Sequence, residues 1–449
     1  MYFALSRHTT SLLKMMFPLA ISMISTFLMI TVDRIFLSKY NIELVNAVSS
    51  AGNLYWMVVG FFVYIVITAG NFVSEKYGEK NYKDLAKPVW QMIYFSFVSI
   101  IIFWLVIQYL IKFFHEINWL SFLQYEFLAS NYLYAPFQIL VSSLGTFFIG
   151  TNRAKVLTFS NIAANLINIF LDYFLIFGVR NFINPMGIKG AALATAIGFM
   201  IQSIILFLVF MNKKNRTEYN TSFCKFNFTL FVSIVKRGIP ASFALVMDLL
   251  GWALFYIIIG KTTKEKAFVA SLVQTIFIFF LFFGESLEKS ISALSSRSIG
   301  EKNFKNIFSL YKSGIKITFF FGFILVILMT VCSKFVLSIF LSKNSSESIS
   351  LKTLKVAQTA IVLTPIYITM ENLRFMVTGI LISLKKAKFV FYSVSFFIWF
   401  VVVLPTYFFI YKNNFSIIYS LLFFILATLG MFFSMKIKMQ SCINNLYGE

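Results

Sequence analysis

The sequence predicts an all-α membrane protein: twelve transmembrane helices in two six-helix lobes related by an internal repeat. Three observations carry this reading. Of 449 residues, 59% are hydrophobic and only 12% charged, about half the charged share of soluble domains, and mean hydropathy is +0.82. The polar octapeptide GEKNYKDL at Gly78 returns as GEKNFKNI at Gly300, 222 positions later. At the same offset Pro18 falls on Pro240 and Lys14 on Lys236, as duplication of a whole unit requires.

Each span follows from length. Crossing the hydrocarbon takes about 20 apolar residues at 1.5 Å each. Runs of that kind lie at 12–37, 47–72, 88–114, 120–150, 156–179, 187–211, 228–259, 266–290, 311–341, 353–384, 387–411 and 415–436. Short loops join them, with longer polar ones expected after spans six and eight. The first run lacks a small-residue cleavage site and carries Asp33 near its end, so it is read as a retained span. The lobes are placed at 1–211 and 228–449, joined by a cytoplasmic linker at 212–227. With the N-terminus inside, cytoplasmic segments hold about 25 Lys and Arg against about 13 outside. That topology accounts for the net charge of +22 without a nucleic-acid partner. Both termini are then cytoplasmic, and GEKN marks the equivalent inner loop of each lobe. Cys224, Cys332 and Cys442 have no ligand spacing, so neither a disulfide framework nor a thiolate metal site is expected.

Acids inside apolar runs are costly and need a cavity or a partner. Six occur: Asp33, Asp172, Asp248, Glu285, Glu288 and Glu371. Glu285 and Glu288 fall near the predicted inner end of span eight, where snorkelling or pairing with Lys289 accounts for them. In span five, Asn161, Asn165, Asn168 and Asp172 recur at spacings of four, three and four, which puts them on one helical face. Lipid would tolerate that face poorly, so it is directed to the bundle interior. Interhelical hydrogen bonding explains the asparagines; an ionisable Asp calls for more. Asp172 lies roughly 10 Å below the outer end of its span, and Thr195 roughly 12 Å down span six. Asp33 is at a similar level in span one. Two carboxylates, an amide and a hydroxyl there could bind Na⁺ through oxygen, or take up a proton, because burial and like-charge repulsion favour the neutral acid. The competing reading is a permanent salt bridge from Asp33 to Arg34 or to another base. In the second half, Asp248 and Glu371 reach mid-membrane, with Arg374 one turn from Glu371; a substrate site, a second cation site and a structural pair are all open. Pro18 interrupts the hydrogen-bond ladder of span one, so ion uptake at Asp33 could alter its bend.

With Pro18 and TVDRIF in span one, the VSEKYGEKN loop, NLINIFLDYFLIFG followed by GIKGAALAT, and RGIPASFALVMD opening the second half, the chain resembles the MATE family of multidrug and toxic compound extrusion transporters over nearly its full length. The resemblance implies an export antiporter with a V-shaped cleft between lobes, driven by inward H⁺ or Na⁺. It implies cation coupling at Asp33, Asn168, Asp172 and Thr195, and places Asp248 and Glu371 where sodium-coupled members carry second-lobe acids. Arg34 and ILISLKKAK depart from the family pattern. The expected function is export of amphipathic, cationic organic compounds across the plasma (inner) membrane by alternating access, as a monomer without cofactor. The alternative is a flippase for lipid-linked saccharides or peptidoglycan precursors, which calls for a basic cleft. A membrane acyltransferase is disfavoured, since the two His residues form no HxxxD motif, and no repeated filter loop suggests a channel.

Overall fold

In a computed structural model the described residues are 6–180, 182–340 and 350–447. Of the described residues 88% are helical, and none forms a strand. Among the described residues twelve helices are long and apolar enough to cross a membrane. In order they are Arg7–Tyr40, Ser50–Gly78, Tyr82–Glu116, Phe122–Gly150, Ala154–Phe177, Ile188–Phe210, Phe228–Gly260, Lys264–Gly300, Phe304–Phe340, Leu351–Ser383, Ala387–Lys412 and Ile418–Asn445, called spans one to twelve. The last residue of the predicted ninth run, 341, lies outside the described residues. Exposed Phe, Leu, Ile and Trp side chains cover these helices, as a lipid-facing surface requires. The chain is therefore a multi-pass membrane protein.

The spans start and stop for local reasons. Ser121 and Gln124 form a reciprocal capping box at the head of span four, satisfying two otherwise free N–H groups. Ser350 caps span ten. Span five stops at Gly178, whose φ of +77° suits glycine; a Cβ there would stand 2.6 Å from the Ile183 carbonyl oxygen. In span eleven, π-helical turns flank Pro405, which cannot donate to the ladder.

Two expected loops are helical instead. The stretch after span six contains a short helix, Lys213–Tyr219, capped by Asn212. Span eight continues ten residues past its predicted end, to Gly300. Its last turns are Ser-rich, which lowers hydropathy without breaking the helix; several of these serines are fully buried.

The chain divides into two compact units. The first comprises Phe17–Leu245 with Ser296–Lys302; the second comprises Met1–Met16, Val246–Ser295 and Asn303–Glu449. In the first unit, Val59, Val66, Met92, Phe103, Tyr132 and Ile139 anchor one apolar core, and Val73, Val89, Phe147 and Phe210 another. The first unit also shows what the repeated octapeptide does. Spans two and eight end at Gly78 and Gly300, each followed by a left-handed lysine, Lys80 and Lys302. A side chain on Gly78 would strike the Arg297 carbonyl, and one on Gly300 the Glu75 carbonyl. Glu75 and Arg297 are themselves 222 positions apart, so the crossing is self-complementary in the manner of a two-fold contact. Glycine is required twice because each backbone lies against the other.

Candidate functional site

Within the first unit, span five is bonded to span one along its polar face. Thr158 Oγ1 donates to the Pro18 carbonyl at 2.7 Å. Asn161 Nδ2 donates to the Ser22 carbonyl at 2.9 Å and to Thr26 Oγ1 at 3.0 Å. One turn on, Asn165 Nδ2 reaches Ser25 Oγ at 2.9 Å. These bonds satisfy the first two amides and leave Asn168 and Asp172 to the end of the stripe. Pro18 sits inside a continuous helix, Arg7–Tyr40, its carbonyl held by the Thr158 hydroxyl.

The stripe ends in a polar cluster. With its amide oriented to satisfy its neighbours, Asn168 donates to Asp172 Oδ2 at 3.3 Å and accepts from the Thr195 hydroxyl at 3.3 Å and its backbone N–H at 3.0 Å. Asp172 is fully buried. Its carboxyl lies beside that of Asp33, and its Oδ1 has no partner. Two carboxylates side by side repel unless a proton or a cation is held between them. The orphaned oxygen is unusual, since buried polar atoms are nearly always bonded. Arg34 is exposed, and no ion pair joins it to Asp33 among the described residues. All four residues read from the sequence as one site therefore meet, from spans one, five and six.

The second unit assembles its acids differently. Arg374 Nε donates to Glu371 Oε2 at 2.9 Å, and Nη2 pairs with Glu371 Oε1 and, at 3.2 Å, with Asp248 Oδ2. Its guanidinium lies 4.6 Å from the Phe375 ring centre. Glu371 and Arg374 are each 4% exposed. The pairing of Glu371 with Arg374 was legible as an i,i+3 spacing; the bridge from span ten to Asp248 on span seven has no local signature.

Glu285 pairs with Lys289 at 3.2 Å, as its spacing suggested. Glu288 does not snorkel. Because span eight runs to Gly300, Glu288 lies about 18 Å from that end and is 8% exposed. Among the described residues no group of three or more His, Cys, Asp or Glu stands together as a metal site. A Na⁺ ion in the first unit would be held by two carboxyls with the Asn168 and Thr195 oxygens.

The family model described as MatE matches residues 18–174 and again 240–408. The two matches begin at Pro18 and Pro240, at the repeat offset itself. The chain belongs to the MatE family. This MatE protein is 24% identical over 330 residues to a probable multidrug resistance protein, YoeA of Bacillus subtilis, covering 70% of this chain and 69% of that one. It is 28% identical over 206 residues to the multidrug export protein MepA of Staphylococcus aureus, 44% of each chain. A solved outward-facing multidrug resistance MATE family transporter of the MOP superfamily superposes with a TM-score of 0.86 at 14% identity, over 98% of this chain and 97% of that one. MATE in its straight conformation gives 0.86 at 13% identity, over the same shares. The fold is that of MATE transporters, and this family member is a transporter, not an enzyme.

Proposed function

We propose that this MatE transporter exports amphipathic, cationic organic compounds across the plasma membrane, exchanging them for an inward-moving cation by alternating access. The observation that carries the reading is the Asp33–Asp172 carboxyl pair with its orphaned Asp172 Oδ1, beside Asn168 and Thr195. Two carboxyls side by side without a base can hold one proton between them, so we take H⁺ rather than Na⁺ as the coupling ion. Release of that proton would leave two adjacent charges in a buried place. They would repel, and the Asn168 amide would be drawn to Asp172.

Coupling follows if the protonated and deprotonated forms prefer different conformations, because a ligand shifts an equilibrium only through differential affinity. Span one is the responsive element. It carries Asp33 at one end and Pro18 fifteen residues earlier, where the ladder already lacks one bond. The names of the relatives, a multidrug resistance protein and a multidrug export protein, support the substrate class. Loop charge supports cytoplasmic termini, and we take the working unit to be a monomer.

Asp248 and Glu371 we assign to a fixed ionic lock held by Arg374. The test is efflux of a lipophilic cation such as tetraphenylphosphonium from proteoliposomes, with a pH step and a Na⁺ step imposed separately. The pH step is expected to drive wild-type efflux, and Asp33→Asn or Asp172→Asn to remove that response with membrane insertion intact. Full gradient-driven transport by both variants would refute the assignment.

A further inference from the structure

Glu288 is absent from the scheme above, and its surroundings are not those of a spectator. It lies on span eight in the second unit and makes no hydrogen bond or ion pair among the described residues. An unpaired ionised carboxylate at 8% exposure would cost several kcal/mol. The charged and titratable groups around it are Glu285 and Lys289 on its own helix, and Glu371 and Arg374 on span ten. Glu285 and Lys289 neutralise each other at 3.2 Å. Arg374 is already committed to Glu371 and Asp248. The local ledger is three acids, Asp248, Glu371 and Glu288, against one arginine, and Glu288 is the one that Arg374 does not bond.

The neighbouring helices contribute polar atoms that are equally unsatisfied. Span ten lies against span eight at two glycines. A Cβ on Gly379 would stand 2.6 Å from the Glu288 carbonyl oxygen, and one on Gly284 would stand 2.5 Å from Asn372 Oδ1. Helical side chains lean toward the N-terminus of their own helix, so Glu288 leans toward the turn of Gly284 and hence toward Asn372. Span nine has its own register on span ten. A Cβ on Gly314 would stand 2.5 Å from Met376 Sδ, and one on Gly322 would strike Thr369, which sets Thr318, midway between them, opposite the Asn372 turn. Asn372 Nδ2 and Thr318 Oγ1 are both buried without a partner. Spans eight, nine and ten thus bring an unpaired acid, a free amide donor and a free hydroxyl to one level. Ser290 Oγ, two residues beyond Glu288, is a third buried polar atom without a partner. Buried polar atoms in such a group are normally satisfied by water.

We infer that Glu288, with Asn372 and Thr318, forms a second protonation site, within the second unit, that exchanges a proton separately from the Asp33–Asp172 pair. The transfer is proton binding alone: the acid accepts H⁺ from hydronium, leaving water, and returns it to water. The inference rests on the reading of the chain as a proton-coupled exporter only for its effect on transport; the site itself does not depend on it.

The test is infrared difference spectroscopy of the full-length protein in lipid across a pH step, with ¹³C-labelled glutamate. A labelled protonated-carboxyl band is expected in the wild type and lost in Glu288→Gln. In Glu288→Asp an unlabelled aspartic-acid band should replace it. A titrating glutamate band unchanged in both variants would overturn the inference. In proteoliposomes, removing one proton per cycle lowers the steady-state accumulation of tetraphenylphosphonium about tenfold per unit of pH gradient. Glu288→Gln is expected to show that drop while retaining a response to the gradient; accumulation equal to the wild type would overturn the coupling role. Failure of the first-unit reading looks different: Asp33→Asn with Asp172→Asn would accumulate the probe at the wild-type ratio whatever Glu288 does.

Discussion

Each unit of the transporter brings together a pair of acids from different helices, one buried and one half-buried, and the two pairs are built to opposite ends. In the first unit, Asp33 and Asp172 lie side by side, with an amide and a hydroxyl alongside and one oxygen left free. In the second, Asp248 and Glu371 share one arginine that bonds to both. The difference is a single guanidinium. An acid pair without a base must hold a proton or a cation to remain buried, so its charge is exchangeable. A pair with a fixed, always-charged base is satisfied permanently, and its charge is structural.

The sharpest way to break this comparison is to remove the base. Arg374→Met should leave Asp248 and Glu371 as uncompensated buried charges and destabilise the fold by about 3–5 kcal/mol. Thermal unfolding in detergent would read this as a large drop. Adding Asp248→Asn and Glu371→Gln should recover much of it. If Arg374→Met alone unfolds like the wild type, the lock is not structural.

Asp172→Asn should do the reverse, abolishing gradient-driven efflux while shifting thermal stability little, because the substituted amide can still bond to Asp33. A drop in stability as large as that of Arg374→Met would show the pair to be structural after all. Smaller still are the bonds that position the site. Asn161→Leu or Asn165→Leu removes span one to span five hydrogen bonds worth about 0.6 kcal/mol each. These variants should keep coupling but unfold slightly earlier. Loss of coupling in either would mean that the zipper, not only its end, takes part in transport.

Most of the fold was legible because lipid imposes it: apolar length gives the spans, and the GEKN repeat gives the duplication. The first-unit site was legible for a related reason. Asn161, Asn165, Asn168 and Asp172 share one face by spacing alone, and depth from the span ends brought Asp33 and Thr195 to the same level. What escaped was long-range. Nothing near Asp248 in sequence announces Arg374, which lies 126 positions away. Glu288 was misplaced because hydropathy ends span eight at 290, whereas buried serines carry the helix to Gly300. Serine lowers an apolar average without ending a helix, so a deep acid was read as one near the membrane face. Gly78 and Gly300 were visible as a repeat, but their mutual contact required the coordinates.

The most direct test sets one acid from each unit side by side. Efflux of tetraphenylphosphonium from proteoliposomes is followed as the outside is acidified at fixed inside pH, for Asp172→Asn and Asp248→Asn. Exchangeable charge in the first unit predicts that Asp172→Asn gives a flat response at the leak rate, while Asp248→Asn still accelerates with the gradient. Acceleration in Asp172→Asn with a flat response in Asp248→Asn would contradict the account.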